Sequence, residues 1–492
     1  IHRASVERIF RVKIKDKSEL IPDGRLGESG WYTSRWFGSY LPFPSGWIYH
    51  ELLKWVYLHP DGADGNWIWQ NVMGWMWTKS DLYPYLWSHE KKEWLYLLRS
   101  DEEGILYYKY SDKTIHQFND KLDIPVSKYP KFSWDHIPRY MHTYKLTDFE
   151  QEELEYLAQF PLITIEKAQA IKEGGNNFVQ RGTTVAAEGI KAINPDAKVL
   201  YYKNIIIDWH GSDATPALEA IENSYLKKTD GEFLTIGNRN RKYFDVSMPA
   251  VRNWWIKDAS RMLNEKSVDG LFIDAHPKVI RDWWMPQRGI AAEKWEEVYA
   301  GYLTLLEKIN QTFSSQNILL ANLIRSDLSE QGGREYLHFF DGSYLEHFAN
   351  DNLYDGKKAD YIAMGINHVQ QAAREGNIIA FTMKLGGEDG EEDLQSVDEV
   401  NLDRLNYTTA LFLIMAEKYS YYFPYGGTYG ADAGRDATWM HTFPIFEKKL
   451  GPPKGPAVQE GYIYTREFEH CRVILDIENE KGTLFWEKDS SR

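Results

Sequence analysis

The chain of 492 residues has one cysteine, Cys471. No internal disulfide can form, and with no CxxC pair there is neither a zinc ribbon nor a redox dithiol. No run of 18 apolar residues occurs, so no membrane span is expected. Positive charge is the minority sign, with 57 Lys and Arg against 72 Asp and Glu, a formal net charge of −15. That balance argues against nucleic acid as a partner, because a binder needs a basic face. An anionic polymer would need a local basic cleft. The first residue is Ile1 rather than Met. We therefore expect a leader to have been removed or left out, and the protein to be secreted, periplasmic or at the cell surface. Nothing in the composition sets an oligomeric state.

What is present is length and aromatic side chains. A chain this long exceeds one hydrophobic core, so two or three domains are expected. Trp, Tyr and Phe number 19, 32 and 22. Between residues 46 and 96 they recur as couplets: Trp47-Ile-Tyr49, Trp55-Val-Tyr57, Trp67-Ile-Trp69, Trp75-Met-Trp77, Tyr85-Leu-Trp87 and Trp94-Leu-Tyr96. Residues two apart share one face of a strand. The spacing of the couplets suits short antiparallel strands, with Asp61-Gly62 and Asp64-Gly65 as turn signals. Residues 1–117 thus read as an aromatic-rich all-β module. Large rings let a thin sheet bury enough area, so we expect most of them to be buried. The alternative is a surface on which sugar rings stack.

After residue 130 short apolar runs alternate with amphipathic stretches, the pattern of βα units around a parallel sheet. Eight strands are expected at 137–145, 161–167, 199–208, 270–276, 317–324, 342–348, 377–384 and 419–426. Helical periodicity is clear at 147–159, 248–263, 291–313 and 402–418, with Ser247 as a cap and Pro249 in the first turn. Eight such units make a (β/α)₈ TIM barrel, assigned to 118–426. Residues 427–492 then form a C-terminal β segment packed on the barrel, with Cys471 as a small buried apolar residue.

In such a barrel the active site lies at the C-terminal ends of the strands. Leu271-Phe272-Ile273 runs straight into Asp274. The other strand ends carry Glu166, Asp208 with His210, Asn322, Glu346, Lys384 and Tyr421. Strand ends are polar wherever they meet solvent, so any one of these residues has a bland explanation. Carboxylates placed directly after apolar triplets are harder to explain that way. His210, His276 and His347 each follow a strand-end acid, which leaves a metal-dependent hydrolase or lyase open. No HExxH spacing supports it, and no metal or other cofactor is expected.

At "FDVSMPAVRNWWIKDASRMLNEKSVDGLFIDAHP" the chain resembles the barrel-type glycoside hydrolases of bacteria, whose families are largely uncharacterised. The resemblance rests on Trp254-Trp255 ahead of the strand from Asp269 to Asp274, on "WDHIPRYMHTYK" at 134–145, and on a Leu-Gly-x-Pro turn with Tyr-x-Arg-x-Phe within 450–477. It spans about 130–492 and leaves out the aromatic module. It implies a polysaccharide or oligosaccharide substrate. Glycoside hydrolysis needs two carboxyl groups flanking the bond. In α-galactosidase-like and dextranase-like barrels the nucleophile follows strand four and the acid/base follows strand six. By that similarity Asp274 would attack the anomeric carbon and Glu346 would serve as acid and then base. A retaining, α-specific and endo-acting enzyme is implied. Asp208, His210, His276, Glu166, Asn322, Lys384 and Tyr421 are the expected substrate-binding residues, with Asp208 the reserve nucleophile. A non-catalytic sugar-binding protein on a degenerate barrel remains the alternative.

Overall fold

The computed structural model describes residues 21–118 and 128–487, apart from 28–30, 44–45, 62–64, 71–72, 102–103, 112, 174, 176–177, 210–211, 238–240, 347, 350–353, 386–399 and 426–438. The chain divides into two units, Ile1–Val126 and Ser127–Arg492.

Among the described residues of the first unit, eleven strands run from Arg25–Leu26 to Thr114–Phe118, each paired with the next in chain order. The aromatic couplets lie on antiparallel neighbours, with Trp67 opposite Trp77 and Trp69 opposite Trp75. Burial is the reverse of the expectation. Ile48, Val56, Ile68, Met76, Leu86 and Leu95, the residues between the rings, are fully buried. Phe37, Tyr40 and Leu53 belong to the same core. The rings take the other face and cover one another only edge to face, as in Trp47–Trp69 at 5.6 Å. Trp55 is 50% exposed, Tyr85 40% and Trp75 37%. A two-residue period commits each strand to one face inward. The aliphatic side chains, with no polar atom to satisfy, take it.

The second unit holds an eight-stranded parallel sheet in sequential order. Its strands are β1 (Met141–Thr143), β2 (Leu162–Ile165), β3 (Lys198–Asn204), β4 (Gly270–Asp274), β5 (Ile318–Asn322), β6 (Gly342–Leu345), β7 (Ile378–Lys384) and β8 (Ser420–Tyr425). A parallel bridge from Arg139 to Tyr422 joins the last strand to the first, so the sheet is a nearly closed barrel. Strands such as β2 and β5 are buried along their whole length, as parallel strands covered on both faces must be. Helices α1 (Gln151–Leu157), α2 (Phe178–Ile193), α3 (Pro249–Leu263), α4 (Ala292–Phe313), α5 (Lys358–Arg374) and α6 (Leu402–Met415) cover the outside. In α4 the buried residues Val298, Tyr302, Leu305, Leu306, Ile309 and Phe313 fall at helical spacing. The N-cap of α3 is Met248, not Ser247, whose hydroxyl instead donates to Asp245.

Rings fill the barrel. His142 packs 4.8 Å from Phe272 and 5.0 Å from Tyr344, and Phe272 lies 5.1 Å from Tyr344. Branched aliphatics more often occupy this layer. Here the aromatic layer makes a floor that displaces water from beneath the strand ends.

Several strands are shorter than the sequence suggests, and at β3 the shortening bears on the site. The run through Asp208 was expected to be strand, but β3 stops at Asn204. The Asn204 carbonyl accepts from the backbone N–H groups of Ile206 and Ile207, at 3.0 and 2.7 Å. This side-chain turn diverts the chain. Ile207 then bridges antiparallel to Tyr243. Asp208 therefore lies four residues beyond the strand end.

Four short antiparallel strands, Val458–Glu460, Ile463–Glu467, Cys471–Asp476 and Lys481–Trp486, form the C-terminal sheet. Arg466, the arginine of the Tyr-x-Arg-x-Phe motif, donates to the carbonyls of Leu413 and Ala416 and to Glu417. It thereby satisfies the open carbonyl end of α6. Cys471 is buried, which pushes its thiol up to about 12.

Candidate active site

Alternate residues of a barrel strand point inward. Phe272 belongs to the floor, so Asp274, two residues on, reaches the mouth. The same step leads from Tyr202 to Asn204 and from Tyr344 to Glu346, which directly follows β6.

Asp274 sits in a nest of donors. Its Oδ2 accepts from the Tyr202 hydroxyl at 2.6 Å and from Asn204 Nδ2 at 3.3 Å. Its Oδ1 accepts from Asn322 Nδ2 at 3.0 Å and from the backbone N–H of Ala275 at 2.7 Å. Burial works against the charge on Asp274. The ammonium of Lys167 and the hydrogen bonds of Tyr202 and Asn322 outweigh it, holding the carboxyl below its usual range. Ala275 pays for its N–H contact with a φ of +77°, a conformation that is uncommon without glycine and clusters at functional sites.

Asn322 ties the two carboxylates together. Its Nδ2 also donates to Glu346 Oε2, at 2.9 Å. Arg325 Nη2 donates to Asn322 Oδ1 at 2.7 Å, which fixes the amide orientation, and lies 3.8 Å from Glu346 Oε2. Glu166 is paired with Lys167, its Oε1 being 2.7 Å from Nζ. Lys167 also lies over the rings of Tyr202 and Trp209, at 4.7 and 5.1 Å. Burial works against its ammonium, but Glu166, Asp274 and Glu346 together raise it above the ordinary lysine value.

The structure thus brings Asp274, Asn322 and Glu346 into direct contact, with Glu166 adjoining through Lys167. Asp208 stands to one side and accepts from the Tyr225 hydroxyl at 2.7 Å. It shares a small pocket with Lys167, Tyr202, Asn204 and Trp209. Burial raises its carboxyl above the ordinary value, against Tyr225 and the charge of Arg241. Lys384 is half-buried at the end of β7. His210 lies outside the described residues, as does His347.

Two expected site residues lie elsewhere. His276 is fully buried and packs against Tyr302 and Phe340, with Nδ1 2.8 Å from the Tyr302 hydroxyl. The left-handed turn at Ala275 ends the strand alternation, so the next side chain swings towards α4. Burial pushes its pKa down to about 4. Tyr421 is the second residue of β8, at the strand's starting end. Its hydroxyl donates to the carbonyls of Pro130 and Lys131, in the segment that leads into β1.

Tyr202, Asn204 and Arg325 were missed. The first two carry the inward parity of β3, visible once that strand is taken to end at Asn204. Arg325 follows Asn322 by three residues and bears no signal of its own.

No curated protein matches the chain in sequence. Several solved structures are similar. A noncanonic maltogenic alpha-amylase of Thermotoga neapolitana is 10% identical over 70% of this chain and 86% of its own, with a TM-score of 0.40. An alpha-galactosidase of Thermus thermophilus is 12% identical over 87% of this chain and 98% of its own, at 0.37. An alpha-galactosidase of Geobacillus stearothermophilus is 9% identical over 70% of this chain and 48% of its own, at 0.40. The model of the hypothetical glycosyl hydrolase family 15 matches residues 191–472, a span that includes Asp274, Asn322 and Glu346. The chain therefore belongs to hypothetical glycosyl hydrolase family 15, and its barrel is of the glycoside hydrolase type.

Proposed function

We propose that the protein is a retaining glycoside hydrolase acting on α-linked sugars, with Asp274 as nucleophile and Glu346 as acid/base. One observation carries this reading: a single nitrogen, Asn322 Nδ2, lies 3.0 Å from Asp274 Oδ1 and 2.9 Å from Glu346 Oε2. A nitrogen bridging one oxygen of each group holds the carboxyls close, which supports the about 5–5.5 Å spacing of retaining enzymes over the roughly 6.5–9.5 Å with which inverting enzymes seat a water.

The nest around Asp274 supports its role. A carboxylate held ionised by donors can attack the anomeric carbon while Glu346 passes its proton to the departing oxygen. Glu346, now a carboxylate, takes a proton from water, and that water displaces Asp274 from the sugar. The α-specific reading rests on the placement of the pair after strands four and six. The endo-acting reading needs a longer substrate to leave the mouth, and a groove of about 840 Å³ between the loops after β4 and β5 and the start of α4, lined by Trp283, Trp295 and Tyr299, is where it would run.

Proton NMR of the first product decides the stereochemistry. With whichever α-glycoside of a hydrolysis panel is cleaved, the hemiacetal formed in the first minutes should be the α anomer. A β anomer appearing first would contradict the proposal.

A further inference from the structure

We infer that the exposed aromatic face of the first unit is a second carbohydrate site, one that binds an extended chain of uncharged sugars. This rests on the carbohydrate reading of the barrel but on different residues. The rings form rows across the strands. Trp47 pairs with Tyr57, Tyr57 with Trp69 and Trp69 with Trp75, so one row crosses four strands in register. Trp67, Trp77, Trp87 and Trp94 make a second row beside it. Adjacent rings of a row lie 5.8 Å apart at Trp47–Tyr57 and 5.6 Å apart at Trp87–Trp94, near the length of one pyranose unit in an extended chain.

The chemistry of the face narrows the occupant. Within these two rows no side chain is charged. Lys79, on the same face at the end of its strand, is paired with Asp81 at 3.1 Å. Indole and phenol groups supply flat apolar surfaces with a polar atom at the edge, which suits a sugar ring with its C–H face and rim of hydroxyls. Trp77 Nε1 donates to the Asp61 carboxylate at 2.7 Å, so the charge bonded to the rows is negative, and an acidic polymer would find no counter-charge in them. The other face of the sheet carries its own hydrophobic core, so the rings of the couplets are not needed to fill it. Trp75 in the first row, with Trp55 and Tyr85 beside the rows, is exposed, and the remaining rings are partly buried; a cluster of exposed rings on one face marks an interaction site.

The test is affinity electrophoresis of the full chain in gels containing hydroxyethylcellulose, xylan, laminarin, dextran or pullulan, with alginate as the anionic contrast. At least one neutral polysaccharide should retard the protein, and alginate should not. Trp75→Ala should weaken that retardation about tenfold, while Trp75→Tyr should largely preserve it. If circular dichroism shows Trp75→Ala misfolded, Trp55→Ala takes its place. Retardation that persists in Asp274→Asn, or in a protein that hydrolyses nothing, supports the face and bears only on the barrel's activity. No retardation by any neutral polysaccharide, or equal retardation of the ring variant, overturns the inference. So does a concentration-dependent dimer that Trp75→Ala dissolves, which would assign the face to a second copy of the chain.

Discussion

His276 shows how one residue can be chemically suggestive and yet serve the scaffold. It stands two positions from Asp274, but its ring is buried against α4. Its folded pKa of about 4 lies below the ordinary value of 6.5. As pH falls below 6.5 the unfolded chain takes up this proton and the folded chain does not. Stability is therefore lost down to about pH 4, by roughly 3 kcal/mol for this group. Denaturant unfolding of wild type and His276→Gln at pH 7 and pH 4 should show it. The stability gap between the two proteins should narrow in acid by about that amount, because residues shared by both cancel. A gap that stays constant would mean that His276 is not held neutral. No sequence pattern separates this histidine from a ligand, because its fate depends on the backbone sign at Ala275.

At the level of elements, strand alternation made much of the barrel mouth legible. Eight apolar runs were readable, and Asp274, Asn322 and Glu346 followed from asking which residues finish them. The errors came where a side chain redirected the backbone. Asn204 stops β3 through two N–H bonds to its side-chain carbonyl, and so Asp208 lies past the strand, in a pocket beside Lys167 and Tyr202. The aromatic module was misjudged because hydrophobicity alone does not say which of two apolar faces turns inward. Ala275 is the critical joint between strand and loop. Ala275→Gly suits a φ of +77° and should retain activity within a few-fold. Ala275→Val, β-branched at positive φ, should cost about 1–3 kcal/mol in unfolding free energy and lower kcat by moving the N–H that Asp274 accepts. Equal behaviour of the two variants would show that this backbone geometry is unimportant.

For the whole molecule, the two units have separate hydrophobic cores. A chain starting at Ser127 keeps Lys128, which pairs with Asp341 at 2.7 Å, and Tyr129 beside it. It should fold and cleave small glycosides at rates near those of the intact protein. A truncated chain that precipitates would mean that the first unit is needed for stability.

The central claim is that Asp274 becomes covalently attached to the sugar, and turnover by Asp274→Asn tests it most directly. An amide cannot form the glycosyl ester, so kcat on a glycoside with a good leaving group should fall at least about 10⁴-fold, with the fold intact by circular dichroism. Glu346→Gln on that same substrate should lose much less, because such a leaving group needs little protonation. Near-normal turnover by Asp274→Asn would contradict the account and make Asp208 the next residue to replace.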